Sequence, residues 1–258
     1  MKVRSLLLGF VAAVATVVSA PAVADAAADG GPVMSPAIVG GSPASQTYSF
    51  MASLQSTSGG HFCGGSLIKA NWIVTAAHCV QGRSAASIQV RVGTTNRTSG
   101  GTLARVSRVI VHPSYRTSYD IALLQLSSSV TQAPVAIAAS SGATGQASRI
   151  IGWGQTCPAA GGCGAPVQLQ QLDTSVVADS RCGGISGSIE ICTNNPGGRA
   201  GACYGDSGGP QVISAGGGWQ LTGATSRSGG GSQCAQAPSI YTDVVAHRSW
   251  IQGYTGAL

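Results

Sequence analysis

The sequence predicts an all-β fold, and three observations carry that reading. Glycine is abundant, with 38 residues, and only 9% of the chain is charged. No stretch keeps the long 3.6-residue apolar period of packed amphipathic helices. Short β-rich runs recur instead, at 88–92, 104–112, 121–126, 149–152 and 220–224. Gly, Ser, Asn and Pro separate them, as the turns of a barrel or sandwich require. One helix is predicted, over 243–252. Asp243 is its expected N-cap, and Val244, Val245, Trp250 and Ile251 fall on one face. The 258 residues, 43% of them hydrophobic, suffice for one large or two small globular units.

The N-terminus reads as a secretory signal over 1–26. Lys2 and Arg4 precede an apolar run from Leu6 to Val18, and small residues then offer cleavage points after Ala20, Ala22, Ala24 or Ala26. The run is shorter than the ~20 residues that span a bilayer, so an anchor is disfavoured. Eight cysteines, an even number, suit the oxidising compartment such a signal leads to. Without Lys2, Arg4, Asp25 and Asp29, fourteen basic and eight acidic residues become twelve and six, leaving a charge of +6. No clustered basic helix or aromatic-interleaved basic run points to nucleic acid. No C-x2-C pair occurs, which argues against zinc.

Three segments supply acyl-transfer chemistry. Cys203-Tyr204-Gly205-Asp206-Ser207-Gly208-Gly209-Pro210 sets a serine among glycines. Thr75-Ala76-Ala77-His78-Cys79 offers a base, and Asp120 opens the apolar run Ile121-Ala122-Leu123-Leu124. A serine hydroxyl is a weak nucleophile until a base takes its proton, and the base needs a partner that fixes its tautomer. Ser207, His78 and Asp120 fill those roles in the order His, Asp, Ser. Gly205–Gly209 also matches the nucleophile elbow of α/β-hydrolases, with Asp243 and His247 following. The alternating strands and long helices of that fold are missing. His61, His112 and His247 are read as structural.

With Ile38-Val39-Gly40-Gly41, these segments resemble the trypsin/chymotrypsin-fold serine proteases, from Ile38 to the region of Trp250-Ile251. That family is also the type case of a Ser-His-Asp triad. The resemblance implies two six-stranded antiparallel β-barrels with the active site between them and a short C-terminal helix. It divides the chain into a propeptide at 27–37, one barrel at 38–137 and a second, with the helix, at 138–258. It implies removal of the propeptide at Ala37–Ile38. The Ile38 ammonium then pairs with Asp206, and the backbone N–H groups of Gly205 and Ser207 form the oxyanion hole. It pairs Cys63 with Cys79, Cys182 with Cys192, and Cys203 with Cys234. Cys157 and Cys163 are left as a local bridge. The Ala/Gly-rich, Arg-over-Lys composition suggests a bacterial member.

The same resemblance places a substrate pocket. Gly201 stands at its floor where trypsin has an Asp, followed by Ala202. Ser226-Arg227-Ser228 matches the wall where many relatives read Ser-Trp-Gly, and Ser239 replaces a glycine. An uncharged, narrowed pocket favours small or medium apolar P1 residues, as in elastases. A wider pocket for Phe, Tyr or Leu stays open, because 229–232 is inserted and Arg227 departs from the pattern. No cofactor or metal is expected; 93–105 holds no carboxylate for calcium. Expected partners are protein or peptide substrates and protein protease inhibitors, with a monomeric enzyme and no membrane contact after signal removal. A catalytically silent binding member is the alternative class, although the chain keeps all three triad residues.

Overall fold

The computed structural model describes residues 38–116 and 118–258. The expected signal and propeptide, 1–26 and 27–37, lie outside the described residues. After a short β1 (Ser42–Pro43), six strands close a barrel. They are β2 (Met51–Ser56), β3 (His61–Lys69), β4 (Trp72–Thr75), β5 (Ile88–Val92), β6 (Thr102–Val111) and β7 (Ala122–Leu126), in the order β2-β3-β4-β7-β6-β5. The period-2 alternation is plainest in β5, where Ile88, Val90 and Val92 are buried and Gln89 and Arg91 only partly so.

The second half forms a sheet from β8 (Ala136–Ile137), β9 (Ala147–Gly152), β10 (Gln170–Ser175), β11 (Glu190–Thr193), β12 (Pro210–Ala215), β13 (Gly218–Ser228) and β14 (Ser239–Asp243). Six of these run β10-β9-β12-β13-β14-β11; β1 lies outside β10, and β8 runs parallel to β13. The two end strands meet just past β10. Val176 bridges to Thr193, the Val177 N–H donates to the Cys192 carbonyl, and the Asn194 N–H donates to the Ser175 carbonyl. The sheet thus returns on itself, giving the two-barrel architecture that the resemblance implies.

One hydrophobic cluster joins both halves, from Met51, Leu54, Ile73 and Leu123 to Val212, Leu221, Val244 and Ile251. Each such fully buried aliphatic side chain contributes roughly 1.5–3 kcal/mol. All four disulfides are present: Cys63–Cys79, Cys157–Cys163, Cys182–Cys192 and Cys203–Cys234.

The C-terminal helix begins later than predicted, at Arg248, and runs to Thr255 (α2). Asp243 ends β14, paired with Gly223, so it cannot also start a helix. Its Oδ1 instead accepts the Val245 and Ala246 N–H groups and caps the turn at 244–247. Val244 and Ile251 are fully buried, as the apolar face requires. Lys69 Nζ donates to the Thr255 carbonyl at the helix C-terminus, where a cation is favoured. Among the described residues no helix is long and apolar enough to cross a membrane.

Candidate active site

The first barrel contributes a histidine–carboxylate pair. His78 sits on a single helical turn, α1 (Ala77–Val80), directly after β4, and the disulfide from Cys79 to Cys63 ties that turn to β3. Asp120 immediately precedes the run that becomes β7. Its Oδ2 lies 2.7 Å from His78 Nδ1, and its Oδ1 accepts the His78 backbone N–H at 2.9 Å. Oδ2 also accepts the Ser226 hydroxyl at 2.7 Å. Burial alone would raise the Asp120 carboxyl. The His78 ring and backbone bonds and the Ser226 hydroxyl outweigh it and hold the group below its ordinary value. An ionised acceptor at Nδ1 keeps the proton on that nitrogen and leaves Nε2 as the base. Tyr119, just before Asp120, has φ of 56°, a conformation that a bulky residue adopts only under constraint.

The second barrel brings Ser207 to the same cleft, in the turn before β12. Close approach of backbones requires the flanking glycines. A Cβ on Gly208, at φ 75°, would lie 2.2 Å from Thr75 Oγ1, and one on Gly64 would lie 2.8 Å from Gly209 Cα. The Gly64 N–H donates to the Ser207 carbonyl at 2.8 Å, which pins the serine loop to β3. Among the described residues, neither the Gly205 nor the Ser207 N–H donates to a protein acceptor.

His61, read from sequence as structural, reaches this loop. Its Nε2 lies 3.0 Å from the Gly205 carbonyl, and its Nδ1 lies 2.8 Å from Ser53 Oγ. The carbonyl only accepts, so Nε2 carries the proton and Nδ1 accepts the serine hydroxyl. Burial pushes the His61 pKa down to about 4, so the ring stays neutral above that pH. The bond anchors the Gly205–Asp206 peptide, whose N–H donates to the Cys203 carbonyl at 3.0 Å, and so restrains Gly205 from the side away from its own N–H. His61→Phe keeps a ring and loses both bonds. We expect it to lower kcat about tenfold while KM changes little, a fraction of the 10²–10³ that losing an oxyanion donor costs. An unchanged kcat would show that the Gly205–Asp206 peptide needs no such anchor.

Asp206 is fully buried. Its carboxylate accepts the Gly154 and Cys203 N–H groups at 2.8 and 2.9 Å. Burial nonetheless pushes its pKa up to about 7. Two N–H donors thus fall short of offsetting the cost of burying the charge. Ile38 is 1% exposed and packs with Ile150, Val176, Ile191 and Tyr241, and Tyr241 in turn feels the Asp206 charge. The Val39 carbonyl accepts the Gly201 N–H at 2.9 Å, which seats the start of the described chain against Gly201.

A cavity of about 430 Å³ is lined by His78 and Ser207 together with Ala202, Ser226, Arg227, Ser228 and Ser239. Among its lining residues none is Asp or Glu. Gly201 is not among the lining residues, although a Cβ there would meet Ala235 and Ser239, which are, at 3.7 Å. Two features were not legible in sequence. Ser228 turns its hydroxyl to the Gly230 carbonyl at 2.5 Å, toward the inserted loop. Arg227 forks onto Glu190, which no sequence motif marks: Nη1 donates to Oε1 at 2.6 Å and Nη2 to Oε2 at 2.9 Å. Cys63, His78 and Cys79 also cluster, but both sulfurs are spent in a disulfide and offer a metal no thiolate.

Two barrels that present a buried-carboxylate–histidine pair and a serine to one cleft define a serine protease of the two-barrel class. Comparison with known proteins agrees. Residues 38–251 match the profile of the Trypsin family. Trypsin alpha of Drosophila erecta is 39% identical over 229 residues, covering 83% of this chain and 86% of that protein. Trypsin Blo t 3 of Blomia tropicalis is 39% identical over 225 residues, covering 79% and 80% respectively. Trypsin alpha-4 of Lucilia cuprina is 36% identical over 229 residues, covering 83% and 86%. The chain belongs to the trypsin family and is a serine endopeptidase.

Proposed function

We propose that the protein is secreted by way of the 1–26 signal, released from its 27–37 propeptide at Ala37–Ile38, and cleaves peptide bonds with Ser207, His78 and Asp120. Ser207 Oγ attacks the scissile carbonyl as His78 Nε2 takes its proton. The Gly205 and Ser207 N–H groups hold the oxyanion. His78 returns the proton to the leaving amine, which departs as the acyl-enzyme forms. Water then repeats the sequence and frees Ser207. Asp120 orients His78 and stabilises its cation. The observation that carries this reading is the Asp120 carboxylate bonded to both the ring and the backbone of His78, on the cleft that holds Ser207. Protein protease inhibitors would compete for this cleft. We take the working enzyme as a monomer that binds neither nucleic acid nor membrane.

The preferred P1 residue follows from the cavity. With Gly201 at the floor and no acid on the lining, a Lys or Arg side chain would bury a charge without a partner, a cost of several kcal/mol. Ser239, nearly buried, takes volume from the pocket and favours Ala, Val or Leu. One observation favours the wider reading with Phe or Tyr: the Ser228 hydroxyl is committed to Gly230, and the cavity measures about 430 Å³. A panel of tetrapeptide substrates varied only at P1 decides. We expect kcat/KM for Ala, Val or Leu to exceed that for Lys and Arg by at least about a hundredfold, the equivalent of an unpaired buried charge. Faster turnover of the Arg substrate would overturn the pocket reading.

A further inference from the structure

Among the described residues lining the cavity, Arg227 is the only lysine or arginine, and its guanidinium is already engaged. Both terminal nitrogens fork onto Glu190, Nη2 also donates to the Gly184 carbonyl at 2.9 Å, and Nη1 approaches Ser226 Oγ at 3.4 Å. The Glu190 side chain is fully buried, and that of Arg227 is 32% exposed. The end-on edge with which a guanidinium grips carboxylates is therefore turned inward and spent, and Glu190 balances its charge. Among the described residues no protein acceptor takes the Nε–H, and the third of the side chain that stays exposed offers substrate a stem and a flat, weakly hydrated head group whose charge is already balanced.

The strand that carries Arg227 is placed to meet substrate. Between Thr225 and Arg227 the register of β13 against β14 shifts, so Ser226 is an extra residue re-aimed at Asp120. β12 pairs with β13 only as far as Ala224, so residues 226–228 have β14 on one edge and the cleft on the other. An extended peptide laid along that free edge gains main-chain hydrogen bonds and passes Arg227.

We propose that Arg227, clamped by Glu190, is a specificity-determining residue: a charge-balanced flat platform that selects an aromatic side chain of the substrate near, but not at, the cleaved residue, and gives an acidic one no advantage. The proposal rests on the cleft being the site of peptide cleavage.

The test uses the mature enzyme and two peptide series, one with Ala and one with Leu fixed at the cleaved residue. Trp, Phe, Asp or Ala is placed in turn at three positions on either side. Only ratios within a series are read, so a wrong P1 assignment changes the baseline and not the answer. At one position Trp and Phe should exceed Ala in kcat/KM by about three- to fivefold, the range of an exposed cation–π contact, with Asp equal to Ala. Arg227→Ala should erase that ratio and Arg227→Trp should keep it. Glu190→Gln, which unbalances the guanidinium, should make Asp better than Ala at that position. Because Arg227→Ala leaves Glu190 buried without a counter-charge, the ratio is also read in Glu190→Gln/Arg227→Ala, where it should again be lost. A preference for Asp in the unaltered enzyme would mean that the fork is open to substrate and would overturn the proposal. So would flat ratios in that enzyme, or an aromatic preference that survives in the double variant. No turnover in any series would overturn the peptidase reading itself, and the platform with it.

Discussion

Ser207→Ala is expected to fold, to form its four disulfides and to hydrolyse peptides on the order of 10⁶-fold more slowly than the unaltered enzyme. Members of a triad act as a unit, so loss of the nucleophile alone removes nearly all of the chemical contribution and leaves only oxyanion stabilisation and binding. The Ser207 backbone, with its carbonyl bonded to the Gly64 N–H, is unchanged by the substitution. His78→Ala is expected to be comparably inactive. Steady-state rates on a good apolar-P1 substrate, with thermal unfolding measured in parallel, check the result; hydrolysis near the unaltered rate would remove Ser207 from the nucleophile role. The same variant tests self-maturation. Ala37 is a residue the uncharged pocket can accept, so Ser207→Ala made with no other protease present should keep its Ala37–Ile38 bond. Removal of the propeptide under those conditions would rule out self-maturation by Ser207.

The proposed triad was legible because its chemistry is written locally: a serine among glycines, a histidine beside a cysteine, an aspartate at the head of an apolar run. The strands were legible for the same reason, since alternation such as that of β5 needs only neighbouring residues. What escaped is set by contacts between distant segments. His61 meets the Gly205 carbonyl 144 residues away, and nothing near His61 announces it. Glu190 pairs with Arg227 across 37 residues, and the sequence shows only an arginine out of place. Helix α2 starts late because pairing with β13 holds Asp243 in β14, an override of capping preference by the sheet. The second barrel closes at the bridge between Val176 and Thr193, too slight a pairing to leave a sequence pattern.

Asp206→Asn in the processed enzyme is expected to cost roughly 3–5 kcal/mol of active conformation, the range for breaking a buried charge pair. That is a loss of about a hundredfold or more in kcat/KM even at neutral pH. An asparagine can accept only one of the Gly154 and Cys203 N–H groups well, because its own NH2 would face the other. It would also leave the Ile38 ammonium, the partner proposed for Asp206, with no counter-charge. The sign of the pH dependence separates the two forms of the protein. While Ile38 is acylated by Ala37, the Asp206 pKa is pushed from 3.8 up to about 7 by burial. A raised folded-state pKa means stability that is present below the unfolded value and lost as pH rises through the folded one. The unprocessed chain, held intact by Ser207→Ala, should therefore lose thermal stability between about pH 4 and 7. Cleavage supplies an ammonium whose ordinary pKa is near ~8, and pairing raises that value while lowering that of Asp206. The processed enzyme should hold its stability through neutral pH and lose activity only as pH climbs past the raised amine value. Melting temperatures of the two forms across pH 4–10 check this. Parallel curves, or full activity in Asp206→Asn, would show that the Ile38 amine does not partner Asp206.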